Sequence, residues 1–431
     1  MREQWGSRLG FVLAAVGSAV GLGNMWRFPY LTAEHGGAAF LLLYIGMTLV
    51  FGMPVLLAEL VVGRGAGKSP LLALVQLGGR AWGMLGIFYV LVGFLILAYY
   101  NVIAGWTARY AWQALLGFPA DLSAFFGGVS QGTSAALWHF GFMIATATVV
   151  MAGVRRGIER AVTILIPLLF LMLIGLAGFA FLQDGAERGY DFYLAADFSK
   201  LLSLDVLTAA MGQAFFSLSI GMGSIVAYAS YLSKNENLPR ETVLIALTDF
   251  GVAFLAGLAI FPLLFSLALQ DQISESTVGA LFIALPGAFE AMGAAGRILG
   301  PLFFLGLSVA ALTSTISMLE VVVSSAIDRL SWSRRRAGLI CSVLVALGGV
   351  PAALSTEVLG QLDEFVGNTC LPLGGLLLAL FVGWRMRNPG KEAALSARGG
   401  TWVGAWLFLL RVPVPLGLAF ILGRQVLRLA S

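Results

Sequence analysis

Charge is what this sequence has least of: 11% of its 431 residues are Asp, Glu, Lys or Arg, while 59% are hydrophobic. A surface facing water needs about a quarter charged residues, so a soluble or disordered chain is excluded and a polytopic membrane protein is indicated. Cysteine and histidine are almost missing too. Cys341 and Cys370 lie inside apolar stretches, which excludes a disulfide framework, and His35 and His139 alone cannot complete a zinc or redox centre with them. No nucleophile with a base and no metal-ligand cluster stands out, so nothing points to an enzyme. The net charge of +4 comes from 26 basic and 22 acidic residues, and the basic ones are scattered through short loops, which argues against nucleic acid as a partner. Glycine is plentiful at 54 residues; in lipid this goes with close helix contacts and interrupted helices.

Crossing about 30 Å of hydrocarbon takes roughly 20 apolar residues as a helix. Stretches of that kind lie near 9–31, 39–62, 83–113, 135–153, 160–182, 206–232, 241–269, 296–327, 337–355, 364–384 and 402–423, which predicts eleven transmembrane helices. Nothing alternates long enough for a barrel strand. The first stretch follows a short basic start, but it runs into GLGNMWRFP without a small-residue cleavage site, so it reads as a span rather than a signal peptide. With the N-terminus cytoplasmic, the inner segments hold Arg2, Arg8, Arg64, Lys68, Arg80, Arg155, Arg156, Arg160, Lys234, Arg240 and most other basic residues, and the outer loops little beyond Arg188, Lys200 and Arg297. The positive-inside rule selects that orientation and leaves the C-terminus outside. The acidic stretch 184–205 reads as a solvated outer loop. Residues 276–295, apolar but short and Gly-rich, read as a re-entrant or capping hairpin.

Two spans carry interruptions at mid-membrane depth: 17–24 (GSAVGLGN) in the first and 217–224 (SLSIGMGS) in the sixth. Each glycine weakens a helix by about 1 kcal/mol relative to Ala. Tight packing of small residues explains either segment alone. Their placement says more, because the first and sixth spans are matching members of two five-helix halves, and paired Gly-interrupted spans mark a midplane binding site between inverted repeats. Unwound carbonyls suit a hard cation such as Na⁺, and half-helix N-termini suit a carboxylate. A zwitterion with Na⁺ is the ligand set such an architecture favours. Since five is odd, the second half is inverted relative to the first.

Few polar residues remain inside the spans. Asp249, in LIALTDFGVAF, needs a cation, a proton or hydrogen bonds, because a charged Asp at a helix centre costs about 2.5–3.5 kcal/mol. Glu59 follows the same logic, with a network to Gln213 as the alternative to ion contact. Thr313, Ser314, Thr315 and Ser317 crowd one stretch of the eighth span; such hydroxyls often bond back to their own helix, and at least one of four is expected to point elsewhere. Tyr99 and Tyr100 fit either packing or the site. Arg27 and Asp363 fall near the outer mouth, Arg2 and Asp328 near the inner one; snorkelling explains each singly, and two gates explain them as pairs.

GSAVGLGNMWRFPYLTAEHGGAAF, PVLLAELVVGR, GQAFFSLSIGMGSIVAYASY, VAALTSTISMLE and LDEFVGNTCLPLGGLL, in this order, resemble the neurotransmitter:sodium symporter family, in particular its bacterial amino-acid transporters. The likeness runs from Arg2 through the eleventh span. The rule on paired broken helices was drawn in part from this family's leucine transporter, so the two arguments are not independent. The resemblance implies an all-α membrane fold of one transporter domain, with repeats at about 6–182 and 206–387 and an extra helix at about 402–423. It implies Na⁺-driven uptake by alternating access in a bacterial inner membrane. The partners are then a small amino acid and the lipid bilayer, with two Na⁺ sites and no organic cofactor. By motif position, the first Na⁺ site would use Ala19, Asn24, Ser217 and Asp249, and the second Gly17, Val20, Ala310, Thr313 and Ser314. Substrate would meet Ala19, Leu22, Gly23, Tyr100, Phe216, Ser217 and Ser219, with Ile96, Met222, Ser314 and Met318 around its side chain. Arg27 with Asp363 resembles the outer gate, and Arg2 with Asp328 the inner one, near Trp5, Ser230 and Tyr231.

There are departures from the family pattern. Asp249 stands where many members have Asn, which resembles chloride-independent members. Met222 stands where some have Phe, and its flexible thioether leaves the substrate open. The usual twelfth span is missing. A neutral, hydrophobic L-amino acid is the expected cargo. A non-transporting sensor or an ion channel on the same scaffold is the rival, although a channel favours a continuous polar lining over paired broken helices.

Overall fold

The computed structural model describes residues 3–195, 203–267, 280–394 and 401–430, and among them every regular element is helical. Among the described residues, nine helices are long and apolar enough to cross a membrane: Ala38–Ala66, Arg80–Leu116, Gly132–Met151, Val154–Phe181, Leu238–Ser266, Gly296–Leu330, Arg334–Leu354, Thr356–Arg385 and Trp402–Leu427. A tenth is the pair Arg8–Ala19 and Gly23–Glu34, bent by 48°. The remaining expected span, the sixth, is the short pair Leu204–Ser217 and Ser224–Ala229; its separation by residues 218–223 keeps it from registering as one helix. The count of eleven is therefore matched only if both interrupted pairs are taken as single spans. They are numbered 1–11 in chain order below, spans 1 and 6 being the pairs.

Local chemistry sets the boundaries. Ser7 starts span 1 by accepting from the Gly10 N–H, and Asn237 starts span 7 by accepting from Arg240, with Pro239 in its first turn. Span 10 begins at the N-cap Ser355, which accepts from Val358. Span 8 is the most buried and packs heavily on span 3, whereas span 11 lies at the periphery. Ile144, Leu171 and Leu347 stand exposed on the outer face, which suits hydrocarbon and not water.

Two expectations about loops need adjustment. Within the acidic stretch, Ala186–Leu194 is a helix that buries Tyr193 against span 7, with the Tyr193 ring where a Cβ on Gly257 would sit. Its charges occupy one face and conceal an apolar one. Of residues 276–295, the part before 280 lies outside the described residues; the rest is a short turn and helix whose Phe282 packs on Trp106 and Tyr110.

Candidate functional site

The two interruptions face one another. Span 1 leaves the helix at Val20, and span 6 passes through left-handed backbone at Ser219 (φ 52°), Gly221 (φ 89°) and Gly223 (φ 79°). Two of these three are glycines, which adopt this region freely; Ser219 does so at a cost of about 1–2 kcal/mol, and its hydroxyl donates to the Ser18 carbonyl of the other broken helix at 2.6 Å. The Leu22 N–H donates to the Tyr100 hydroxyl at 3.0 Å, and the Gly21 N–H to Asn24 Oδ1 at 3.1 Å. Glu59 and Gln213 do not bond to each other, contrary to that expectation. Glu59 Oε1 accepts from the Gly221 N–H at 2.8 Å, while Gln213 Nε2 donates to the Gly23 carbonyl at 2.9 Å. Each of these polar side chains serves a different break.

A cavity with about 320 Å³ of empty volume lies between the breaks. Ala19, Gly23, Ile96, Tyr100, Phe216, Ser219, Met222, Ser314 and Met318 line it, together with Ser18, Gly21 and Leu371. Leu22 faces the outer vestibule instead, and Ser217 lies behind the cavity in a carboxylate cluster.

That cluster is built on Asp249, which is fully buried. Its carboxylate accepts from Asn24 Nδ2 at 2.7 Å, from Ser217 Oγ at 2.8 Å and from the Tyr44 hydroxyl at 3.2 Å. Spans 1, 2, 6 and 7 thus meet at one carboxylate. The desolvation of a buried charge is offset only when its oxygens are bonded in this way.

The hydroxyls of span 8 divide into two kinds. Thr313, Thr315 and Ser317 donate to their own helix, at the carbonyls of Ala310, Leu312 and Ser314. Ser314 does not: its Oγ stands 3.5 Å from each of the Gly17, Ser18 and Val20 carbonyls of span 1. Na⁺ is close in radius to Ca²⁺, whose oxygen ligands sit at about 2.3–2.6 Å, and oxygens at right angles around such an ion are about 3.3–3.7 Å apart. At 3.5 Å these contacts are at the long limit of hydrogen bonds, and they match in length the separation of oxygens at right angles around such an ion.

Outside the cavity, Arg27, Asp363, Trp26, Tyr30, Tyr99 and Phe216 border a vestibule of about 620 Å³. Gly23, Tyr100 and Phe216 line both spaces. The Arg27 guanidinium lies 4.7 Å from the Phe216 ring centre and donates to Asn368 Oδ1 at 3.3 Å. Arg27 and Asp363 face each other across the vestibule without approaching to the 4 Å of an ion pair.

The profile of the Sodium:neurotransmitter symporter family matches residues 2–120 and 129–413. The chain belongs to this family. Similar proteins include the uncharacterized sodium-dependent transporter YhdH of Bacillus subtilis, 36% identical over 97% of this chain and 96% of its own, and a sodium-dependent transporter of Methanocaldococcus jannaschii, 35% identical over 96% and 88%. Among solved structures, MhsT in complex with L-phenylalanine superposes with a TM-score of 0.89 at 40% identity, covering 98% of this chain and 99% of that one. The fold is accordingly the five-plus-five inverted repeat with broken first and sixth helices. The molecule is a multi-pass, sodium-dependent transporter of a small-molecule substrate and not an enzyme.

On the opposite side of this symporter, Arg2 lies outside the described residues. Asp328 Oδ2 accepts from the Ser69 N–H at 2.7 Å. Trp5 donates its indole N–H to the Tyr228 carbonyl at 2.9 Å, and its N–H bonds the Tyr231 carbonyl; the Ser230 hydroxyl turns back to Ala227. Sequence reasoning missed the centre of this region. Glu320 is fully buried and pairs with Arg334 at 2.8 Å, Tyr231 donates to the same carboxylate, and Arg334 also reaches Glu3 at 3.1 Å. Two further carboxylate contacts tie the N-terminal segment to span 5: Glu3 accepts from the Val154 N–H at 2.8 Å and Glu159 from the Gly6 N–H at 2.6 Å.

Proposed function

We propose that the chain is a chloride-independent, Na⁺-coupled symporter for neutral, hydrophobic L-amino acids. The observation that carries this reading is the cavity between the breaks: Ile96, Met222 and Met318 give it an apolar part, and Ser18, Ser219, Ser314 and Tyr100 beside the broken backbone of spans 1 and 6 give it a polar one. An amino acid divides in the same way, into a charged backbone and an apolar side chain. MhsT, alike over nearly the whole chain, was solved with L-phenylalanine. In this reading the first Na⁺ uses Ala19, Asn24, Ser217, Asp249 and the substrate carboxylate. The second uses the carbonyls of Gly17, Val20 and Ala310 with Thr313 and Ser314. Repeats of about 6–182 and 206–387 move against each other around these sites, in a bacterial inner membrane with the N-terminus cytoplasmic and the C-terminus external. Proteoliposomes offered labelled alanine, valine, leucine, phenylalanine and glutamate, with and without an inward Na⁺ gradient, test it. Accumulation of the apolar amino acids only with the gradient is expected; equal uptake without Na⁺ refutes coupling.

Arg27 and Asp363 close the vestibule in the same cycle. Either alanine substitution should lower uptake several-fold while leaving stability nearly unchanged, because the two half-buried side chains form no ion pair in this conformation that the substitution would break. The exchanged pair, Arg27→Asp with Asp363→Arg, should recover part of the loss. Strictly additive losses in a double-mutant cycle would show that the two do not act together.

A further inference from the structure

Among the described residues that line the cavity, Leu371 alone comes from outside spans 1, 3, 6 and 8. It belongs to span 10. We propose that Leu371 is a specificity-determining residue, the fixed end wall that sets how large an amino-acid side chain the cavity accepts; the proposal rests on the amino-acid reading above.

The argument starts from the backbone. A Cβ on Gly221 would lie 2.3 Å from the Leu371 carbonyl oxygen, and one on Gly374 would lie 2.1 Å from the Gly221 carbonyl oxygen. Span 10 and the span 6 break therefore meet backbone to backbone, with no side chain between them. On the other side, Glu59 holds the Gly221 N–H at 2.8 Å, and the Tyr89 hydroxyl donates to the Gly374 carbonyl at 3.2 Å. The strip at Gly221 is pinned from spans 2, 3 and 10, so the cavity cannot lengthen by moving it.

The chain around Leu371 is itself irregular. Val366–Cys370 forms a single π-helical turn, and Pro372 follows with no N–H to give. Such turns re-aim the residue next to them, and here that residue is turned to the cavity wall. Its chemistry differs from that of its neighbours. Met222 and Met318 are unbranched and adapt to what they touch, whereas Leu371 is branched, 2% exposed and anchored on the pinned strip. Adjustment falls to the methionines and the limit on length to Leu371. Asp363 of the vestibule stands on the same helix, so one element borders both the entrance and the end of the cavity.

The test is competition by valine, leucine, phenylalanine and tryptophan against labelled substrate in proteoliposomes. One methylene of misfit in an apolar pocket changes selectivity by roughly 10–200-fold. Leu371→Ala should shift the tryptophan-to-valine preference at least tenfold toward tryptophan, and Leu371→Phe should shift it toward valine. Leu371→Met, close in volume, should keep the wild-type order as the control, and Leu371→Phe carries the test if the alanine variant fails to fold. The Na⁺ concentration for half-maximal binding should stay within about twofold in all three. An unchanged rank order, or the same loss for every substrate in both size variants, overturns the proposal. Wild-type protein that carries no amino acid overturns the functional reading at once, before any variant is compared, and this proposal with it.

Discussion

Asp249→Asn should remove most Na⁺-driven uptake in chloride-free medium, and chloride should restore part of it. Asn24, Ser217 and Tyr44 all donate to the Asp249 carboxylate. Neutralising Asp249 leaves these donors converging on a site that has lost its negative charge, and a halide accepts from such donors. A unit charge within about 5 Å of a bound Na⁺, at an effective dielectric of about 20, contributes at least about 3 kcal/mol, or roughly two decades or more of Na⁺ affinity. The wild type carries that charge covalently and should transport equally well in chloride and in gluconate. Uptake by wild type, Asp249→Asn and Asp249→Ser in both media is the measurement. Wild-type uptake that collapses in gluconate would refute the assignment of the compensating charge to Asp249; variants that chloride leaves unchanged would show that the donors do not form an anion site.

How much of this was readable beforehand depended on what lipid forbids. Glycine and small polar residues at mid-membrane depth, and a carboxylate in an apolar run, are costly enough to betray a role, which is why 17–24, 217–224 and Asp249 stood out. Glu320 obeys the same rule, within SMLEVVV, and was open to the same argument. Tyr44 and Leu371 left no such trace: an aromatic or a leucine in an apolar span is unremarkable, and only the fold brings Tyr44 to Asp249 or Leu371 to Gly221. Glu59 and Gln213 show a different limit. Depth suggested that they bond each other, but depth does not say which way a helix face is turned, and each proves to hold a separate break. The helix Ala186–Leu194 was hidden because its acidic residues dominate the composition while Tyr193 carries the packing.

Ser314→Ala should raise the Na⁺ concentration for half-maximal uptake at least tenfold, and adding Thr313→Val should raise it further. The reason lies in the contrast among neighbouring hydroxyls. Thr315 is satisfied by the Leu312 carbonyl and by Thr146 at 2.8 Å, whereas Ser314 faces three carbonyls of span 1, each at 3.5 Å. An oxygen held at that distance gains little from hydrogen bonding but is well spaced to share a cation with the carbonyls. Removing a polar partner of a charged group costs about 1.5–3 kcal/mol, and each 1.4 kcal/mol is tenfold in affinity. Thr315→Val is the control: it removes a hydroxyl from the same turn of the same helix, lowers stability through the lost Thr146 contact, and should leave the Na⁺ dependence near that of wild type. Measuring initial uptake against Na⁺ for the four proteins separates the two effects, because a loss of folded transporter lowers the maximal rate at every Na⁺ concentration while a lost ligand moves the midpoint. Identical midpoints in Ser314→Ala and Thr315→Val would return Ser314 to the ordinary packing of span 8 against span 1.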